Sequence, residues 1–362
     1  MKWLERIIPA CFLLILLLCG TVTVLKGDRA FSDNENRPLK TRSTISSRAS
    51  DGSFQRDLNE YLSDQFLLRD VCTAAQSRLK RLTGRRDIGG AYLGKQNHLF
   101  QRITDRDVDP DQIAADAKRY ARLQERTGLP LTVLPVPSAG IALSELLPAH
   151  AQMYDYDGIL SLLHTAMPQA TVIDTAPVLR GSSAYFGSNS YYRTDHHWTT
   201  EGAYLAYCRL VSEKGREAPP MTDFSLKTVT ADFRGTQDSR VLDRSIPPDT
   251  IKTVALPDGV RVVADGKEIP FYNDAALETK DKYSVFLSGN HGVVEITNPQ
   301  NPDGKTLLLI KDSFANCLAP FLIYDYARIV MVDERYCMDM PAELCEQYGA
   351  DELLVVKEAA FF

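Results

Sequence analysis

Residues 7–25 run for nineteen positions without a charge, between Arg6 on one side and Lys26, Asp28 and Arg29 on the other. Crossing a bilayer takes about 20 apolar residues in a helix. A cleaved signal shows a shorter apolar stretch that ends in a small-x-small site. This run is long and no Ala-x-Ala follows it, so it reads as an uncleaved signal-anchor. Lys2 and Arg6 favour a cytoplasmic N-terminus, a preference that Lys26 and Arg29 weaken. Cys19 invites comparison with a lipoprotein cysteine, but Leu18 is bulky where a lipobox has a small residue. Residues 1–26 are therefore expected to anchor the chain in a membrane, with everything past residue 30 outside the cytoplasm.

Residues 27–50 are polar and rich in Ser, Arg and Asn, the composition of a flexible stalk. Residues 51–362 have the makeup of a globular domain. Across the 362 residues, 44% are apolar and 24% charged, and the net charge of −6 argues against a nucleic-acid partner. Five cysteines remain beyond the anchor, Cys72, Cys208, Cys317, Cys337 and Cys345, an odd and sparse set that is no disulfide framework. Cys337 and Cys345 are near enough in sequence to pair, though nothing requires it. No CxxC or Cys/His spacing points to structural zinc, and no cofactor is implied.

Asp57–Thr83 shows helical spacing throughout. AYLGKQNHLF (91–100) reads as a hairpin turning at Gly94–Asn97. Helix over Asp111–Arg126, strand over LTVLPV (131–136), helix over Tyr156–Met167 and a strand with its exit loop over 170–179 then alternate. Thr199 or Thr200 caps a third helix whose Ala203, Ala206, Tyr207, Leu210 and Val211 share one face, and Gly215 stops it. KTLLLIKDSFAN (305–316) is a strand running into a turn, and ARIVMVDERY (327–336) is another strand. This alternation predicts an α/β fold with a mostly parallel sheet flanked by helices. Residues 220–298 interrupt it with a Thr/Val/Gly-rich, mainly β insertion that carries hairpin signals at Asp258-Gly259 and Asp265-Gly266.

Chemistry concentrates in two places. Ser313 follows a strand end, where open parallel sheets bind ligands. Its hydroxyl is either a nucleophile or simply the cap of the next helix. Asp195-x-His197 supplies what a serine nucleophile needs, a base and a carboxylate to orient it. Trp198 is expected beside the imidazole. A metal site needs three protein ligands and an open position. His196 and His197 are adjacent, so their side chains diverge in regular structure, and no HExxH or third histidine lies near. His196 alone reads as an ordinary half-exposed histidine.

YYRTDHHWTTEGA (191–203) resembles the signature of the DHHW proteins, relatives of the alginate O-acetylation proteins and, more distantly, of the SGNH/GDSL hydrolases. LNEYLSDQFLLRD (58–70), YSVFLSGNHGVVEITN (283–298), LLLIKDSFANCLAPFL (307–322) and VDERY (332–336) resemble further family blocks in the same order. The resemblance implies an SGNH-hydrolase-like catalytic domain with Ser313 as nucleophile, His197 as general base and Asp195 as its orienter. It makes Gly289 and Asn290 candidates for an oxyanion or substrate role, with a plain hairpin turn the alternative; Tyr192, Arg193, Arg335 and Tyr336 are candidates for contact with sugar, against a packing role for Tyr192 and a structural ion pair for Arg335. The separate Gly and Asn blocks of SGNH enzymes have no counterpart here at matching spacing. The activity implied is O-acetylation of a secreted or cell-wall polysaccharide through an acyl-serine. A multi-pass membrane O-acyltransferase would supply the acyl group, since no acetyl-CoA pool exists outside the cell. An acetylesterase with the same triad, a non-catalytic polysaccharide-binding protein and a metal hydrolase are the competing expectations.

Overall fold

The computed structural model describes residues 4–32, 34, 37–48, 50–180 and 190–362; Lys2, invoked above for orientation, lies outside them. The chain divides into two compact units, Met1–Ile88 with Ser239–Ser245, and Gly89–Asp238 with Ile246–Phe362.

In the first unit, helix α1 (Leu4–Leu25) contains a segment, Arg6–Thr23, long and apolar enough to cross a membrane. The helical spacing over 57–83 is divided between two helices, α2 (Ser53–Gln65) and α3 (Arg69–Leu82). Phe66 leaves helical geometry at φ −54°, ψ 130°, and no Gly or Pro marks the break, so periodicity runs through it unbroken. The segment expected to be a free stalk is instead a strap bound to α2. The Gln65 amide donates to the carbonyls of Arg29 and Lys40, both at 2.8 Å, while Asp64 accepts from the Lys40 N–H at 2.8 Å and from Arg37. Asp57 takes the Ser46 N–H at 2.7 Å. Polar composition describes a strap as well as a tether; the buried carboxylate and amide of α2 decide between them.

The second unit opens with the expected hairpin, strands β1 (Ala91–Leu93) and β2 (Leu99–Gln101), whose turn places Gln96 and Asn97 at positive φ. Helix α4 (Pro110–Thr127) starts at Asp109, which accepts the Asp111 and Gln112 N–H groups, and stops at Gly128 in the left-handed region (φ 67°). Strand β3 (Leu131–Val136), helix α5 (Tyr156–Ala166) and strand β4 (Thr171–Val172) follow. β4 is short, and the exit loop expected after it turns helical at Ala176–Arg180. Helix α6 (Thr200–Glu213) is capped by Thr199, which accepts the Gly202 N–H. The rest comprises β5 (Leu226–Phe233), β6 (Asp249–Val254), β7 (Arg261–Ala264), β8 (Lys267–Ile269), β9 (Val293–Thr297), β10 (Thr306–Lys311), α7 (Phe314–Leu322), β11 (Arg328–Val332), α8 (Pro341–Tyr348) and β12 (Glu352–Glu358).

Eight strands form one sheet in the order β8-β7-β9-β11-β10-β12-β3-β4. The pairs from β11 through β4 are parallel, as expected; those joining β8, β7, β9 and β11 are antiparallel. The sheet is therefore mixed. The β insertion does not stand apart, because three of its strands extend the parallel sheet at one edge. Only β5 and β6 pair separately. Asp265-Gly266 makes a hairpin between β7 and β8, whereas Asp258-Gly259 joins strands of different sheets.

Strand residues alternate between two cores, as a two-residue period requires. Leu307, Leu309, Leu354 and Met331 pack with α6 and α7, and Leu308, Ile310, Val355 and Val330 with α4, α5 and α8. The sheet is thus covered on both faces.

Candidate active site

Ser313 stands two residues past the end of β10, directly before α7. It does not cap that helix: Asp312 Oδ1 accepts the Phe314 N–H (2.9 Å), and the Ser313 hydroxyl is free to turn elsewhere. It turns to His197, with Oγ 2.7 Å from Nε2. On the far side of the ring, Nδ1 lies 2.6 Å from Asp195 Oδ1. Donation from Nδ1–H to the carboxylate leaves Nε2 as acceptor for the serine O–H. The structure therefore joins Asp195, His197 and Ser313 in one hydrogen-bonded row. Asp195 and His197 are buried and Ser313 is partly exposed.

The loop that delivers the histidine is pinched shut. The Tyr192 N–H donates to the His197 carbonyl (3.1 Å) and the Thr199 N–H to that of Ser190 (2.8 Å). Asp249, at the start of β6, accepts the N–H groups of Arg193 and Thr194, each at 2.8 Å, and the Thr194 hydroxyl at 2.6 Å. Gly202 allows the close approach of α6, since a Cβ there would stand 2.1 Å from the Ser190 carbonyl oxygen.

Asp195 has its acceptor capacity filled. Oδ1 also takes the His197 N–H (3.0 Å), and Oδ2 takes the Thr236 N–H (2.8 Å) and hydroxyl (3.1 Å). Burial alone would push this carboxyl up. The neighbouring His196 and His197 and these hydrogen bonds outweigh it and hold the group well below the usual carboxylate range. Gly235 presses against it, leaving only 2.2 Å between a Cβ at that position and Asp195 Oδ2.

Two expectations about neighbours are corrected. His196 and His197 do not diverge, because the backbone here is a series of bends; their ring centroids are 3.8 Å apart, and His196 Nδ1 is 2.9 Å from Thr236 Oγ1. Nor is Trp198 the partner of the imidazole. Its indole donates to the Phe314 carbonyl (3.0 Å) and packs edge-on against the Phe314 ring, tying the loop to α7. The ring on His197 is that of Tyr283, stacked at 3.8 Å, with its hydroxyl donating to the Ser313 carbonyl (3.2 Å). Burial keeps that phenol well above its ordinary pKa, hence neutral.

The other predicted residues fall into three groups. Gly289 and Asn290 precede β9, whose antiparallel run brings that loop to the edge where β10 and β11 end, with Val293 opposite Val332. There, Asn316 donates to the Gly289 carbonyl and to Asn290 Oδ1, both at 3.2 Å, and the Gly289 N–H is committed to the Phe286 carbonyl (3.1 Å). Tyr192 is 1% exposed, so its ring packs edge-on with Tyr283 behind the site instead of lining it. Arg193 is partly exposed, and Arg335 pairs with Asp333 while keeping about half its side chain (53%) in solvent. Tyr336 is exposed.

Sequence reasoning missed Lys311 and Asn316 although both lie in the quoted strand-turn. Lys311 is 2% exposed; its Nζ reaches Asn290 Oδ1 and Asn316 Oδ1 at 3.0 Å each and Asp333 at 3.4 Å. Burial lowers its pKa against the pull of Asp333 and Asp312. A lysine ending an apolar strand was the available signal. Thr236, Gly235 and Tyr283 carried none.

Asp195, His196 and His197 also offer one potential metal-ligand atom each, all within 4.8 Å of one another. All seven cysteines are free, Cys337 and Cys345 included.

Solved structures are similar to this chain. A DHHW family protein from Eubacterium siraeum superposes with a TM-score of 0.64 at 20% identity, covering 76% of this chain and 93% of its own. PatB1 of Bacillus cereus, solved with a sulfonyl adduct, gives 0.60 at 19% identity, covering 73% and 92%. The O-acetyltransferase domain of Pseudomonas putida AlgJ gives 0.47 at 16% identity, covering 75% and 91%. No curated protein sequence matches the chain. The sequence model of the DHHW protein family matches residues 180–332, so the resemblance to DHHW proteins is carried by the stretch that holds Asp195, His197 and Ser313 and by the fold around it.

Proposed function

We propose that this chain is an extracytoplasmic O-acetyltransferase, anchored by α1, that modifies a secreted or cell-wall polysaccharide. The observation that carries the reading is the unbroken row from Asp195 through His197 to the Ser313 hydroxyl. Serine attack forms an Oγ–carbonyl bond on the acyl donor while the hydroxyl proton passes to Nε2. The imidazolium, stabilised by the ionised Asp195, returns that proton to the leaving group as its bond to the acyl carbon breaks. A sugar hydroxyl then gives its proton to Nε2, attacks the acetyl-serine and takes the acetyl group, and serine leaves with the proton. Tyr283 closes one face of the imidazole to water, which favours a sugar over hydrolysis. Arg193 and Arg335 are proposed as the cations that meet the sugar, and Asn316 and Lys311 hydrogen-bond the Gly289–Asn290 loop. A multi-pass membrane O-acyltransferase is the proposed acyl supplier, and the anchor holds the domain at its outer face.

Intact-protein mass spectrometry after exposure to an activated acetyl ester tests the reading. The expected result is a gain of one acetyl group on the wild type and none on Ser313→Ala. Acetylation that persists in Ser313→Ala rejects the acyl-serine. Loss of the acetyl to water at a rate unaffected by added oligosaccharide assigns the same site to an esterase. Activity abolished by a chelator and restored by a divalent metal would reassign Asp195, His196 and His197 as ligands.

A further inference from the structure

Helix α3 exposes apolar side chains where a solvated helix carries polar ones. Leu67 and Leu68 at its start, and Val71, Leu79 and Leu82 along it, are 43–77% exposed, with Cys72 and Ala75 exposed among them. Positions 68, 71, 75, 79 and 82 follow the spacing of a single helical face. Basic residues border this stripe. Residues 69–87 contain six Arg or Lys (69, 78, 80, 81, 85 and 86) against two Asp (70 and 87); Arg69 and Arg81 pair with Asp64 and Asp243, and Asp70 with Arg29, so the basic excess outside these pairs is carried by Arg78, Lys80, Arg85 and Arg86. Beside the helix, a groove of about 1030 Å³ is lined by Val71, Ala75, Arg78, Leu82, Leu242 and Arg244. The start of the helix is fixed at one end of the apolar anchor: the Leu67 N–H donates to Thr23 Oγ1 (3.3 Å), and Thr23, buried at 3% exposure, is the last residue of the membrane-length segment.

We propose that α3 docks on the surface of an anionic membrane, its apolar stripe entering the boundary between headgroups and acyl chains and its arginines meeting lipid phosphates. An apolar face edged by Arg and Lys is the pattern of a helix lying in a membrane interface. The basic excess gives the charge complementarity that an anionic leaflet requires. The Leu67–Thr23 hydrogen bond places the stripe where a spanning α1 leaves the bilayer. The inference rests on the reading of α1 as an anchor.

The test uses the full chain in nanodiscs of phosphatidylcholine with and without phosphatidylglycerol, a water-soluble maleimide, and peptide mass mapping of the native cysteines. Cys11 and Cys19 report α1, Cys72 reports α3, and Cys337 reports the second unit. Cys72 modification is expected to fall about tenfold in the anionic discs relative to a Val71→Asp/Leu79→Asp variant, with Cys337 equal in both. Both substitutions are at exposed positions, so the fold tolerates them. If Cys11 and Cys19 are protected while Cys72 reacts equally in wild type and variant, the docking proposal is overturned and the anchor stands. If Cys11, Cys19 and Cys72 all react freely, the anchor fails and the docking proposal with it. Protection of Cys72 confined to native membranes that carry other proteins also overturns it, making the stripe a protein-docking face.

Discussion

The Tyr283 ring lies flat on the His197 imidazole, 9° from parallel with centroids 3.8 Å apart, while its hydroxyl holds the Ser313 carbonyl. One side chain therefore fixes both the His197 ring and the backbone that carries Ser313. Tyr283→Phe keeps the stack and loses one neutral hydrogen bond of about 1 kcal/mol, so acetyl transfer is expected within a few-fold of wild type. Tyr283→Ala removes the stack, opens the ring to water and leaves a cavity costing about 3 kcal/mol. Its ratio of hydrolysis to transfer, read by product chromatography with an oligosaccharide acceptor, should rise. Equal ratios in wild type and Tyr283→Ala would remove the water-excluding role.

Gly235 gives a sharper test of the carboxylate, because it has no side chain of its own and presses against Asp195. The Cβ of Gly235→Ala would overlap Asp195, which must shift. A displacement of about 1 Å in a catalytic constellation costs on the order of 100-fold in rate. Asp195→Asn, which disturbs the tautomer while leaving the shape, is expected to cost on the order of 10⁴-fold in kcat. Both are read as the rate of acetyl-enzyme formation at matched thermal stability. A Gly235→Ala enzyme as fast as wild type would show that the position of Asp195 is unimportant.

Lys311 is a buried amine whose Nζ meets the Asp333 carboxylate and two amide oxygens. Lys311→Ala strips Asp333 of one partner and leaves a void, an expected loss of about 3–5 kcal/mol in urea unfolding. Lys311→Met fills the space, and Arg335 still pairs with Asp333, so its loss should be smaller, about 1–2 kcal/mol. Equal stability of Lys311→Ala and wild type would contradict the bracing role.

Acid stability has a contributor at the opposite edge of the sheet. Glu352, at the start of β12, accepts from Lys214, Lys305 and Tyr326. Burial pushes its carboxyl up, but these partners outweigh it and bring it down from 4.5 to about 2. A depressed folded-state value means that the contribution is complete above the unfolded pKa and is lost as pH falls through about 2. Wild type should therefore lose about 1–3 kcal/mol more than Glu352→Gln between neutral pH and that range, measured by thermal unfolding at stepped pH. Activity at neutral pH should be unchanged. Parallel pH profiles for the two proteins would exclude the contribution.

Local pattern alone determined the helix over 110–127 with its Gly128 stop, the buried strands 131–136 and 306–311, and the Thr199 cap, since each follows from side-chain period and end chemistry within one segment. The grouping of Asp195, His197 and Ser313, which the hydrogen bonds join, was legible for a related reason: a histidine and a carboxylate two positions apart, and a serine after a strand, are short-range signals. What only the tertiary structure decided depends on pairing between distant segments. Strand period does not specify a partner, so the extension of the parallel sheet by β7, β8 and β9, which delivers Gly289 and Asn290 beside Asn316, was invisible. The same holds for Tyr283 on His197, for Gly235 against Asp195 and for the strap on Asp64 and Gln65. These contacts come from packing, which selects among partners whose local patterns are equally compatible with several neighbours.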